Sequence, residues 1–352
     1  MKTTILTVLL FVATSASLQA QNLIAVQNAG TPAFFQQVDS AIIHSQNGDT
    51  IYIPGGSWNI SIPINKCLHF IGVGNNPDST RVTSYTQIIG QMILLTGSDG
   101  GSIEGISFNE GLSFGSSSAN QNVNNYKVSR CFIPIGINLG YQMPSNSSNN
   151  IFSENIIGHI NGYNSTQNAF YNNFINTLEY FNSNNIFYNN IFFQAGVMCC
   201  PTCWYETSTI ANVFNSTFRN NIFPWPNNTF PAICSSVTNC FFDNNIFMQN
   251  TSSPIAPGSM ENNNIFNQPQ GSIFVKQSGS GFDYNQDYHL QSSCPGKNAG
   301  TDGTDIGIYG GAFPWKEGSV PSNPHFQTVK IAPKTDANGN LNVNIKVQAQ
   351  DN

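Results

Sequence analysis

Short apolar runs broken by asparagine, glycine and serine fill the middle of the chain, and five of them align on one aromatic position. They are "NIFSENII" at 150–157, "NAFYNNFI" at 168–175, "NIFYNNIF" at 185–192, "STFRNNIF" at 216–223 and "CFFDNNIF" at 240–247. The shared frame is Phe, any residue, a polar residue, Asn, then two apolar residues. "SRCFIPI" after Val128 is a weaker earlier copy and "NNNIF" at 262–266 a weaker later one. The anchors Phe152, Phe170, Phe187, Phe218 and Phe242 stand 18, 17, 31 and 24 residues apart. A unit this short cannot bury a core alone, so neighbouring units must stack. Runs of this length, rich in β-prone residues and punctuated by turn formers, read as strands. The pattern predicts an all-β solenoid of parallel strands with one coil per repeat.

In such a coil the anchor Phe faces inward and stacks on its equivalents, and in the unit 185–192 Ile191 points inward as well. The asparagine three residues after each anchor (Asn155, Asn173, Asn190, Asn221, Asn245) is expected at the bend between strands. Asparagine tolerates the left-handed backbone there, and its amide can hydrogen-bond to the next asparagine along the stack, forming a structural ladder.

The ends of a solenoid need covers. "TPAFFQQVDSAIIHSQ" predicts a capping helix, with Thr31 as N-cap, Pro32 at the first helical position and Phe34, Val38, Ala41 and Ile42 on one face. "GDTIYIPGGSWNISIPI" alternates as first-coil strands should. Near the other terminus, "TVKIAP" and "LNVNIKVQ" alternate in period two around "DANGN", a β-hairpin at about 328–348 placed to cover the far end or to dock elsewhere.

Composition narrows the function classes. Charged residues make up 9% of the 352, and the net charge is −6 with no basic cluster, which speaks against nucleic acid as a partner. Residues 1–20 have the form of a secretory signal peptide, and no later stretch is apolar and long enough for membrane insertion. The expected organisation is a signal peptide at 1–20, the β-helix at 21–324 and a hairpin tail at 325–352, in a secreted or cell-surface protein. In that setting the eight cysteines favour disulfides, with Cys199, Cys200, Cys203 and Cys234 the candidates. A metal knuckle or redox dithiol at "CCPTC" lacks supporting residues.

By these features the chain resembles the right-handed parallel β-helix superfamily of pectate lyases and polygalacturonases. The likeness rests on the helix running into "GDTIYIPGG", on "LHFIGVG" at 68–74, "GSIEGISF" at 101–108, the Asn coils, and "DYHLQSSCPGKNAGTDGTDIGIYGG" at 287–311. It implies the fold; the superfamily spans lyases, hydrolases, epimerases and non-catalytic surface proteins, so it implies no single chemistry.

Measured against a 17-residue coil, two insertions remain, 194–211 and 224–236. They carry Trp204, Tyr205, Glu206 and Trp225, candidate ligand-binding residues for a glycan, because aromatic faces suit the C–H faces of sugars. Packing of the loops is the competing explanation. The paired aspartates of polygalacturonases are absent, and "GHI" at 158–160 is a partial match without supporting neighbours. Between residues 145 and 265 Arg219 stands alone and no two carboxylates share an evident column. Asp302 and Asp305 in "GTDGTDIG" fit either a Ca²⁺ site or turn-forming aspartates, and no other cofactor is expected. The leading expectation is a glycan-binding, adhesive or scaffold module. The alternative is a polysaccharide lyase or glycoside hydrolase working beside the 194–236 insertions.

Overall fold

The computed structural model describes residues 23–28, 30–116, 122–193, 209–224, 234–248 and 258–350. They form a parallel β-helix. Among them a 12-stranded sheet and a 14-stranded sheet run along the stack, parallel throughout except at the N-terminal end, and helices are few and short. In the first sheet the anchors pair in register, Phe152 with Phe170, then Phe187, Phe218 and Phe242. Their rings stack at 4.7–4.9 Å with planes within 10° of parallel, the spacing that strand pairing imposes. A second stack, Phe192, Phe223, Phe247 and Phe266, lines the other wall of the core.

The asparagine ladder runs through the corner between the sheets. Each Nδ2 donates to the next Oδ1 at 3.0 Å, from Asn155 to Asn173, Asn190, Asn221, Asn245 and Asn264. The same Oδ1 atoms accept the preceding coil's backbone N–H, as Asn190 does from Asn173. The two properties assigned to one asparagine are divided between neighbours. The left-handed residue is the one before: Glu154, Asn172, Asn189, Asn220 and Asn244 all have φ between 52° and 59°. A side chain that must both accept from and donate to the next coils needs a fixed orientation, so the bend itself falls to the adjacent residue. A second ladder, Asn150 to Asn168 to Asn185, closes the opposite corner, behind left-handed Asn149, Gln167 and Asn184.

Ile191 is buried but does not face the solenoid core. With Ile156, Phe174, Ile222 and Ile246 it forms an outer apolar column, covered by Phe274, Tyr288, Leu290, Ile306, Ile308 and Trp315. The C-terminal segment thus doubles back over the coils. The left-handed corner residues hold it: Asn244 donates to Ala299 O (2.8 Å), Asn189 to Gly307 O (3.2 Å), and Asn172 to Ile308 O and Gly310 O (2.8 and 2.6 Å). Gly307 has φ +94°, a conformation strained for any residue with a Cβ, and an added Cβ would lie 2.5 Å from Ile222 Cδ1, so the isoleucine would have to shift.

Further along the strap the corner residues are charged. Buried Arg130 pairs with Glu104 (3.1 Å) and Glu154 (3.3 Å) and donates to Val320 O. Lys316 lies 3.9 Å from Glu154, and Ser322 binds both oxygens of Glu104. Burial pushes the Glu154 carboxyl above its ordinary value, against the opposing pull of Arg130 and Lys316.

The N-terminal helix is shorter than the sequence pattern suggests. It spans Val38–His44 with Gln37 as its N-cap residue, and Ala33–Phe35 is instead a strand antiparallel to Ile24–Gln27. Val38, Ala41 and Ile42 are buried as expected, whereas Phe34 is exposed. Ile24–Gln27 also pairs with Thr50–Tyr52, and the added edge strand satisfies the backbone groups on its free side. The C-terminal hairpin pairs His325–Ile331 with Val343–Gln348. It leaves the solenoid beside Glu104, among the early coils, and so does not cover the far end.

Candidate functional site

Each first-sheet strand turns its middle residue inward and its flanking residues outward, as the two-residue period requires. The outward residue after the anchor is the position that the repeat leaves free. Read coil by coil it is Ser153, Tyr171, Tyr188, Arg219, Asp243 and Asn262, paired in register. Four steps at ~4.8 Å make the stretch from Tyr171 to Asn262 about 19 Å long.

These side chains interact along the column. Tyr171 and Tyr188 meet edge to face at 6.0 Å, and the Arg219 guanidinium lies 5.3 Å from the Tyr188 ring centroid. Asp243 holds Arg219 through a 2.9 Å bond to Nε and accepts from Asn262 Nδ2 at 2.9 Å. Arg219 is therefore fixed at Nε, and among the described residues its two terminal nitrogens make no hydrogen bond. The strap lies alongside, since Tyr171, Tyr188, Arg219 and Asp243 are each followed by an asparagine bonded to it, and its Phe313 sits 5.1 Å from Tyr171. The result is an aromatic and guanidinium-bearing strip with one raised side. Burial raises the Tyr171 hydroxyl above its usual value, with Tyr188 adding to the effect, so Tyr171 is a neutral hydrogen-bonding phenol at neutral pH.

A second cluster lies on the outer face of the second sheet. His159 Nδ1 is 2.9 Å from Thr177 Oγ1, its Nε2 is 3.2 Å from Glu179 Oε1, and Asn161 Nδ2 donates to that same oxygen at 3.3 Å. A carboxylate only accepts, so in the neutral ring Nε2 carries the proton and Nδ1 receives the Thr177 hydroxyl. This cluster adjoins the return of the first insertion: Ala211 pairs with Glu179, and the Thr209 carbonyl accepts from Leu178 N. His159, from the "GHI" partial match, thus has two side-chain partners, Thr177 and Glu179. Arg219 is likewise not alone, and Glu104 and Glu154 meet through Arg130.

Of the residues singled out in the sequence, Trp204, Tyr205, Glu206, Trp225, Cys199, Cys200 and Cys203 lie outside the described residues. Cys234 is buried at the return of the second insertion, in a strand paired with Ile210–Val213. No disulfide occurs among the described residues; Cys67, Cys131, Cys240 and Cys294 are thiols there. Burial pushes the Cys131 thiol up to about 12 and Cys240 to about 11. Asp302 accepts from Thr304, and Asp305 binds Lys297 Nζ and Asn298 N, so both shape the strap's turns. Among the described residues no group of three or more His, Cys, Asp or Glu is placed to hold a metal ion.

No protein-family model matches the chain, and no curated protein matches it. Among solved structures it is similar to a mutant of the PL6 family alginate lyase AlyGC, with 13% identity and a TM-score of 0.33. That match covers 85% of this chain and 58% of the lyase, so the chain spans under two thirds of its neighbour's length. No helix among the described residues is long and apolar enough to cross a membrane.

Proposed function

We propose that this is a secreted or cell-surface β-helix protein that binds a polysaccharide along the Tyr171–Tyr188–Arg219 strip. The observation that carries the proposal is the composition of the free column. An architecture that dictates Phe and Asn at its other positions places two tyrosines, an arginine and an aspartate side by side on one outer face. Tyrosine rings present apolar faces to sugar C–H groups and hydroxyls to their oxygens, and the terminal nitrogens of Arg219 suit hydroxyl or carboxylate oxygens. The repeat of one coil per ~4.8 Å gives an extended ligand successive contacts. Affinity electrophoresis against a polysaccharide panel tests this. Retardation by at least one polysaccharide, lost in Tyr171→Ala and Tyr188→Ala, is the expected result. Retardation that survives both changes but disappears in Trp204→Ala or Trp225→Ala would move the site to the insertions.

A second reading, catalysis as a polysaccharide lyase or glycoside hydrolase, draws on the Thr177–His159–Glu179 chain at the root of the first insertion. A carboxylate-oriented imidazole holding a hydroxyl is a competent proton-transfer group. Release of unsaturated or reducing ends from the same panel, abolished by His159→Ala, would favour it; absence of any product would leave the binding reading alone.

A further inference from the structure

The C-terminal hairpin has two chemically distinct faces. Cross-strand pairing places Phe326 opposite Val347, Val329 opposite Ile345 and Ile331 opposite Val343, all on one face. The other face carries His325 with Gln348, Thr328 with Lys346 and Lys330 with Asn344. The six apolar residues are between 37% and 59% exposed, and none belongs to either buried apolar cluster of the chain. The pair forms a separate two-stranded sheet. Two strands alone are marginal in water and require a packed face.

We propose that this face is a self-association surface: the hairpins of two copies of the chain pack face to face as a small four-stranded sandwich. Three features select a second copy as the occupant. The face bears no charge, so it offers nothing for a partner of opposite charge to read, and both lysines of the hairpin's strands lie on its reverse. A face of five β-branched side chains and one phenylalanine can pack on its own copy about a two-fold axis, the symmetry of most homodimers. At these exposures the six residues offer about 500 Å² per copy, so two copies bury at most roughly 1,000 Å² through this face alone, the low end for a specific interface. The hairpin leaves the solenoid beside Glu104, three coil steps before Tyr171 in the same outward column.

Sedimentation equilibrium of the full chain over a concentration series tests the proposal. A monomer–dimer equilibrium is expected, with the dissociation constant raised at least about tenfold by Val329→Lys or Ile345→Lys and unchanged by Lys346→Glu on the opposite face. Circular dichroism identical to the parent shows that each variant folds. A parent that sediments as a monomer throughout, or a dimer unaffected by both apolar-face substitutions, would overturn it. Dissociation by Lys346→Glu but not by Ile345→Lys would do the same.

Discussion

Replacing Asn190 with alanine removes the ladder at its centre, and the structure gives the cost. Asn190 Oδ1 accepts from Asn173 N (2.9 Å) and Asn173 Nδ2 (3.0 Å), while its Nδ2 donates to Phe170 O and Asn221 Oδ1 (3.0 Å each). All of these side chains are buried. In the variant the Asn173 backbone N–H loses its acceptor, at about 1–3 kcal/mol for a stranded buried donor. The other three bonds are lost from groups that keep a partner or can recruit one, at roughly 0.5–1.5 kcal/mol each before relaxation. Some sharing among them brings the expected total to about 3–5 kcal/mol, a large part of the ~5–15 kcal/mol typical of a whole domain. Urea unfolding followed by far-ultraviolet circular dichroism measures it, with exposed Ser280→Ala as the reference, expected within ~0.5 kcal/mol of the parent. Asn190→Asp provides a second readout. It retains an acceptor for Asn173 but turns an oxygen toward Phe170 O and Asn221 Oδ1, so its stability should recover on acidification as the carboxyl gains a proton and can donate. A loss below about 1 kcal/mol for Asn190→Ala, or no acid recovery for Asn190→Asp, would refute the ladder as a stabilising element.

Three further outcomes follow from the corner and the core. Arg130→Met strands Glu104 and Glu154 in a buried site and should cost about 3–5 kcal/mol in the same urea assay; a change under 1 kcal/mol would show that the cluster is solvated. Gly307→Ala forces a Cβ toward Ile222 and should expose the strap region to limited proteolysis while the coils stay resistant, with an unchanged digestion pattern as the opposing result. Burial raises the Cys131 thiol from 9.0 to about 12 and the Cys240 thiol from 9.0 to about 11. The folded state therefore retains protons that the unfolded state releases, so stability is full below about pH 9 and falls above it, by up to ~1.4 kcal/mol per pH unit per group. Guanidinium midpoints at pH 7, 9 and 10.5 should decline only beyond pH 9, and a flat profile would contradict the burial of these thiols.

The parallel β-helix was legible because its demands repeat. A phenylalanine that must stack and an asparagine that must bridge coils recur at fixed offsets, and five copies reveal both. The neighbouring asparagine was harder to interpret, since left-handed backbone and ladder bonding both favour the same residue type. Asn189 and Asn190 separate only when φ and side-chain contacts are seen together. Ile191 was misplaced because its burial comes from residues more than eighty positions later, and no local periodicity announces that contact. The same holds for Ala33–Phe35, where a strand partner upstream prevails over a plausible Thr31–Pro32 helix start. The candidate site was present in the alignment as its unconstrained column, Ser153, Tyr171, Tyr188, Arg219 and Asp243. The insertions and the isolated charges are more conspicuous in the sequence, although positions that an architecture leaves free are where recognition residues can vary.

The most direct measurement is the affinity of the best-retained polysaccharide for the parent, Tyr188→Ala and Arg219→Ala by isothermal titration calorimetry. Loss of a stacked aromatic or a fixed guanidinium contact should weaken binding by about tenfold or more in each variant, a difference of ~1.4 kcal/mol, with the far-ultraviolet spectrum unchanged. Affinities equal to that of the parent in both variants, or no polysaccharide bound by the parent, would contradict a binding strip on the outer face of the first sheet.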